Sequence, residues 1–202
     1  ITTTPGLQGG FLWEWKDHTL RQQLPDGTMR LAYGGQFGDT PNDCNFVADG
    51  LMSSELVPHP AMREVAWVHR PVTVERVRGG LRVANRQSFT GLRWLRAHWE
   101  LLVDGAVARH GTLRTPDVGP HSSATVPLPC ELPPAGVDAQ LTVRWTTARD
   151  AWFAPAGHLV AWDQVQLRER RTALRATGLP VTTERAASDV LVTQPRLNVW
   201  RA

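Results

Sequence analysis

Gln140-Leu141-Thr142-Val143-Arg144-Trp145 and Leu159-Val160-Ala161-Trp162-Asp163-Gln164-Val165-Gln166-Leu167 decide how this chain folds. Apolar and polar side chains alternate in both with a period of two, which is the period of a strand and not of a helix. β-Branched and aromatic residues fill many of the apolar positions, as a pleated, half-buried surface favours. Working outward, the alternation recurs around Trp99 and Leu101 between Trp94 and Val103, ahead of an Asp104-Gly105 turn. It recurs at Ala124-Thr125-Val126-Pro127-Leu128, in Leu81-Arg82-Val83 before an Ala84-Asn85-Arg86 turn, and in the set Val72, Val74 and Val77. Short strands at this spacing, broken by Gly, Pro and Asn, predict an antiparallel immunoglobulin-like β-sandwich over residues 70–172. Cys44 and Cys130 make no disulfide framework, so apolar packing must hold the sandwich together.

The flanking sections read differently. Within residues 1–69, Leu7-Gln8-Gly9-Gly10-Phe11-Leu12-Trp13-Glu14-Trp15 reads as a buried strand ending in a functional loop. Pro25-Asp26-Gly27-Thr28 is a hairpin-type turn, because Asp-Gly pairs tolerate the backbone such turns need. The stretch from Gly34 to Asp43 is too rich in Gly, Pro and Asx residues for regular structure, and long ordered loops tend to carry function. Pro60 to Val68 suits a short helix opened by proline. Residues 173–202, with Val190-Leu191-Val192 and then Pro195 to Trp200, read as the first strands of a further domain.

Composition narrows the function. The 202 residues are 42% hydrophobic and 20% charged, ordinary for a soluble globular chain. No run approaches the roughly 20 apolar residues that span a bilayer. Ile1-Thr2-Thr3-Thr4-Pro5 has neither the basic start nor the apolar run of a signal peptide, and the absent initiator Met reads as a position inside a longer chain. Two unpaired thiols then suggest a cytoplasmic protein. The net charge is only +3 and the basic residues are spread out, so neither nucleic acid nor a membrane is an expected partner. Lys16 is the single lysine, an Arg preference read as coding bias and not as phosphate chemistry. The seven His are scattered singly, without metal-ligand spacing. Nine Trp are unusual; most are expected in the core, although pyranose rings also lie flat against indole faces.

A glycosidase needs two carboxylates flanking the scissile bond, about 5–5.5 Å apart in retaining enzymes. Strand alternation puts Trp13 and Trp15 on one side and Glu14 on the other, which disfavours Glu14 as an acid in a cavity that Trp13 faces. Asp17, Asp39, Asp43 and Asp49 all lie in or beside turns, where Asx capping is the commoner role. The residues alone leave two readings of Trp13 and Trp15, core or pocket wall.

A resemblance extends this. Leu7 to Trp15 resembles the segment after the nucleophile strand of the β-galactosidases of glycoside hydrolase family 2. Tyr33-Gly34-Gly35-Gln36-Phe37-Gly38-Asp39-Thr40-Pro41-Asn42-Asp43-Cys44-Asn45-Phe46 is similar to that family's signature loop, and Asp49-Gly50-Leu51 and Pro58-His59-Pro60 continue it. Ala156 to Gln164 is similar to the strand closing its sandwich domain, and Pro195 to Ala202 to the start of its large C-terminal β-domain. The phrases are collinear over nearly the whole chain. β-Glucuronidases and β-mannosidases share the architecture, but the Gly34-to-Phe46 loop favours a galactosidase.

The resemblance implies that residues 1–69 are the C-terminal end of a (β/α)8 barrel, placed where barrel sites form. It implies that Trp13 walls a galactose pocket, that Asn42 stands at its edge and that the Phe46 ring borders it. The Phe46 carbonyl and the Asp49 side chain would help hold Na+. Some relatives have Asn where Asp49 stands, and the best-known one has Arg where Cys44 stands, which puts that arginine's role in doubt here. The family's two catalytic glutamates and its Mg2+ ligands lie upstream of the matched region, so this chain is expected to carry no catalytic residue and to be inactive alone. The expected partners are a galactoside, the remainder of the β-galactosidase chain and, for the full protein, further copies of itself. The alternative is a non-catalytic β-sandwich module, structural or carbohydrate-binding, which would have no need of residues 1–69.

Overall fold

Seven strands between Val72 and Arg168 form two antiparallel sheets. They are β3 (Val72–Val77), β4 (Gly80–Asn85), β5 (Leu95–Val103), β6 (Ala106–Leu113), β7 (Ser123–Val126), β8 (Ala139–Thr147) and β9 (Leu159–Arg168). One sheet has the order β3-β4-β7 and the other β6-β5-β8-β9. This computed structural model describes residues 4–170 and the backbone of strands 182–186, 189–194 and 197–201. The sheets face each other across one apolar core, an immunoglobulin-like sandwich. Val72, Val74, Leu81 and Val83 enter from the first sheet, and Leu95, Ala97, Leu101, Leu141, Val143, Trp145, Ala161, Val165 and Leu167 from the second. The period-two reading of β8 and β9 therefore holds: residues 161, 163, 165 and 167 are buried and 164, 166 and 168 exposed.

One inward position of β9 is an acid. The Asp163 carboxylate accepts the Val74 backbone N–H at 2.8 Å and pairs with the Arg70 guanidinium at 2.8 Å. Strand β3 is an edge of its sheet, and Asp163 supplies the acceptor that no further strand provides. Burial pushes the Asp163 carboxyl above its ordinary range, against the opposing hydrogen bonds from Arg70 and Val74. Arg70 also donates to the Trp67 carbonyl at 2.6 Å, and its guanidinium lies 3.8 Å from the centre of the Trp67 ring. Trp67 belongs to α1 (Ala61–Val68), the expected short helix, with Pro60 just ahead of it. The pair thus ties helix to sandwich.

Turn chemistry fixes the hairpins. Asp104 and Gly105 both have positive φ, 50° and 83°, and link β5 to β6 as a two-residue primed-type turn. Strand β6 was absent from the expected set: it is an outer strand, mostly exposed, and its sequence lacks an apolar stripe. Gly111 on β6 stands opposite Trp99, and a Cβ there would come within 3.0 Å of the indole. Asn85 corrects the expected turn. It ends β4, buried, and its amide donates to the carbonyls of Thr90, Val118 and Gly119.

The first section corrects another expectation. Leu7 to Trp15 is not a buried strand: Phe11 is fully exposed, and Leu12 and Trp13 are exposed too. Backbone pairing to a neighbouring segment begins only at Glu14, and a lone extended run satisfies none of its backbone groups. The Pro25–Thr28 turn does join a hairpin, β1 (Leu20–Gln23) and β2 (Met29–Ala32), with Asp26 accepting the Thr28 N–H and hydroxyl. Nor are most of the tryptophans core. Among the described ones only Trp99 and Trp145 are buried, Trp94 and Trp162 are half-buried, and Trp13, Trp15, Trp67 and Trp152 are exposed. Of the section expected at 173–202, β10 (Thr182–Ala186), β11 (Asp189–Gln194) and β12 (Leu197–Arg201) form an antiparallel meander, and residues 173–181, 187–188, 195–196 and 202 lie outside the described residues.

Both side chains of the Arg70–Asp163 pair are about nine-tenths covered. Asp163→Ala leaves the guanidinium uncompensated and is expected to cost about 3–5 kcal/mol. In urea unfolding followed by tryptophan fluorescence, the double variant R70M/D163A should lose less than the sum of its singles, by about 1–3 kcal/mol. Strictly additive losses would show that the two groups are not coupled.

Candidate functional site

Residues 14–21 are stitched to residues 47–59. Leu51 N–H donates to the Glu14 carbonyl at 2.9 Å, Met52 N–H to Trp15 at 3.1 Å, Asp17 N–H to Met52 at 2.9 Å and His18 N–H to Val47 at 2.8 Å. The bridge between Lys16 and Met52 is parallel, as between neighbouring strands of a barrel. Side chains continue the seam, with the Thr19 hydroxyl donating to Ser54 at 2.7 Å and Arg21 paired with Glu55.

The buried carboxylate at the centre of the seam is Asp17. It accepts the Gly50 N–H at 2.8 Å on one oxygen and meets His59 Nε2 at 3.1 Å with the other. Gly50 sits so close that a Cβ would fall 2.4 Å from the Asp17 nitrogen and 2.5 Å from the Lys16 carbonyl carbon. No other residue type fits without backbone movement. Sequence reasoning set Asp17 among the turn caps and passed over His59, because nothing local reveals a bond spanning 42 positions.

The loop before this seam is held by its own polar groups. Tyr33 N–H donates to the Gln36 side chain at 2.9 Å, and Gly35 N–H to the Asp39 carboxylate at 3.1 Å. Asp39 thus bonds back into its own loop, four residues earlier, and not to the residue two positions on that an Asx turn caps. Asn42 donates to the Asp39 carbonyl at 2.9 Å and accepts the Cys44 N–H at 3.1 Å, so both ends of its amide are engaged within the loop. A Cβ on Gly35, whose φ is +86°, would lie 2.9 Å from that amide, so glycine is required there twice over.

The residues named from sequence lie on this framework. Trp13 precedes the first rung of the seam and is exposed, as is Trp15, whereas Glu14 is largely covered and pairs with His18 at 2.8 Å. Phe46 stands just before the Val47 rung, its ring exposed and its N–H donating to Asp43 at 3.0 Å. Asp49 is exposed and adjoins locked Gly50. Asn42 is linked to this group through its own loop. Among the described residues no three His, Cys, Asp or Glu side chains gather as a ligand cluster. A separate groove of about 770 Å3 beside Trp99, Arg109 and Cys130 includes none of these residues.

Both cysteines are free thiols, Cys44 exposed in the loop and Cys130 half-covered beside that groove. Burial pushes the Cys130 thiol up, with Arg109 opposing, so less of it is thiolate at a given pH. Iodoacetamide at pH 8 should therefore alkylate Cys44 several-fold faster than Cys130, as read by peptide mass spectrometry. Equal rates would contradict this.

Comparison with known proteins agrees with this architecture. Residues 1–74 match the family described as "Glycosyl hydrolases family 2, TIM barrel domain", and residues 81–168 match "Beta-galactosidase, domain 4". A β-galactosidase of Priestia megaterium (strain DSM 319 / IMG 1521) is 37% identical over 169 residues, covering 81% of this chain and 16% of that protein. A β-galactosidase of Arthrobacter sp. (strain B7) is 34% identical over 232 aligned positions, covering 98% of this chain and 22% of that protein. The chain thus spans 16% to 22% of the length of these curated relatives. With a barrel-domain match followed in order by a match to domain 4, the chain belongs to the β-galactosidases of glycoside hydrolase family 2.

Proposed function

We propose that this chain supplies one wall of a galactosyl pocket, and part of a sodium site, to a larger retaining β-galactosidase that removes terminal non-reducing β-D-galactose, as from lactose. The observation that supports the reading is the seam between residues 14–21 and 47–59, in which Glu14, next to Trp13, pairs with Leu51, two residues past Asp49, and Val47, next to Phe46, pairs with His18. Trp13 offers an exposed indole face for the sugar, and the exposed Phe46 ring would border the same subsite. Asn42 would stand at the rim, its amide set by the loop.

The donor chemistry suits a hard cation. Among the described residues no hydrogen bond reaches the Phe46 carbonyl, and Asp49 is exposed with a carboxylate to offer. These are two oxygens of a shell that other segments and the sugar would complete. Sodium there would fix a sugar hydroxyl by ion–dipole attraction. Magnesium and its ligands belong to the rest of the parent chain, in this reading. Double displacement needs a nucleophilic carboxylate and a second one as acid and base, and the family resemblance assigns neither to this chain. The reading extends to a cytoplasmic homo-oligomer as the full protein; no helix among the described residues is long and apolar enough to cross a membrane.

The purified chain should release no nitrophenol from p-nitrophenyl β-D-galactoside, and it should bind galactose and lactose without saturable affinity. In the full-length enzyme, Trp13→Ala should lower kcat/KM about tenfold or more, the loss of roughly 1.5 kcal/mol of ring contact. Turnover by the isolated chain would overturn the proposal, and saturable glycan binding by it would favour a carbohydrate-binding module instead.

A further inference from the structure

The seam raises a question that the pocket residues do not answer: what holds Asp49, an exposed side chain on a loop with little core beneath it? We infer that Asp17 and His59 are positioning residues for the cation site, acting through Gly50 to fix where the Asp49 carboxylate stands. The inference rests on the reading above, that Asp49 and the Phe46 carbonyl hold sodium.

Three observations carry it. Asp17 is buried, and a carboxylate in such a place is retained only when its oxygens are matched. Both are matched by groups of the 50–59 stretch, the Gly50 N–H at 2.8 Å and His59 Nε2 at 3.1 Å. The contact is also sterically one-way, since Gly50 rests on the backbone of residues 16 and 17 with no room even for a methyl group. The peptide after Asp49 is therefore clamped from below by contact and from the side by a charge-assisted hydrogen bond. His59 closes the arrangement from the segment after Pro58, where its own N–H donates to the Leu51 carbonyl at 3.0 Å. On the other side of Asp49, the Val47 carbonyl accepts the His18 N–H at 2.8 Å. Asp49 and the Phe46 carbonyl are thus flanked by fixed points on one short barrel segment. Partners of ligating carboxylates and of their loops commonly set metal affinity in this way.

The test uses the full-length enzyme that carries this segment, with NaCl exchanged for choline chloride at constant ionic strength. Binding of isopropyl β-D-thiogalactoside and the thermal midpoint are followed as Na+ is titrated. Asp17→Ala should raise the half-saturating Na+ concentration about 10- to 100-fold, with KM rising more than kcat falls at low Na+ and both recovering at high Na+. Asp17→Asn keeps an oxygen for the Gly50 N–H and should recover much of the loss. His59→Gln should give a smaller shift in the same direction. Arg21→Ala, which breaks the exposed Arg21–Glu55 pair of the same seam, should leave the sodium dependence unchanged. If Asp17→Ala does not fold, the Asp17→Asn and His59→Gln titrations decide the matter.

Folded Asp17 and His59 variants with unaltered half-saturating Na+ would overturn the inference while leaving the sodium reading intact, provided Asp49→Ala abolishes the sodium effect. If Asp49→Ala leaves that effect unchanged, or if the parent enzyme shows none, the sodium reading fails and this inference with it.

Discussion

Asp163 puts a carboxylate on the one face of β9 where every other side chain is apolar. Removing that group from water costs several kcal/mol unless its oxygens are matched, and a cation and a backbone N–H match them. Because the N–H belongs to the edge of the facing sheet, the bond closes the sandwich along that side. Because the cation is Arg70, stacked on Trp67, the same carboxylate sets how the last helix of the first section leaves the second. An apolar residue at 163 could fill the space. It could not draw the helix, the linker and both sheets to one point.

The two sections are stable for different reasons. Between β3 and β9 the apolar residues of two sheets enclose one another, and cooperative packing of that kind resists local opening. From residue 4 to 60 the buried residues are Asp17, Thr19 and Ala32, two of them polar. That section is held by hydrogen bonds and by backbone contacts such as Gly50 on Lys16 and Asp17. Its large apolar side chains, Phe11, Leu12, Trp13, Phe37 and Phe46 among them, face outward. Exposed apolar surface on this scale belongs to something that covers it, either a partner surface or a ligand.

The sandwich was legible in the sequence because a buried sheet face writes itself as alternation, and β5, β8 and β9 alternate over nine or ten residues each. Strand β6 was not, since an outer strand bonds through its backbone and leaves its side chains free to be polar. Leu7 to Trp15 misled for the converse reason. Its apolar run implied burial, yet burial requires a neighbouring element, and composition does not disclose whether one is present. At the site, the glycine-rich loop announced itself, although the bond from Gly35 back to Asp39 did not. The Asp17–His59–Gly50 clamp stayed hidden, because the geometry that joins distant positions has no local trace.

The meeting of Trp99 with Gly111 has an evolutionary corollary. The indole occupies the space that a side chain on the adjoining strand would need, so the two positions share a single volume. Enlarging one crowds the other: a side chain at 111 would push the ring by a few tenths of an ångström, and a smaller ring or an aliphatic at 99 would relieve it. Substitutions at these two sites should consequently be inherited as a linked pair, although the residues lie on different strands.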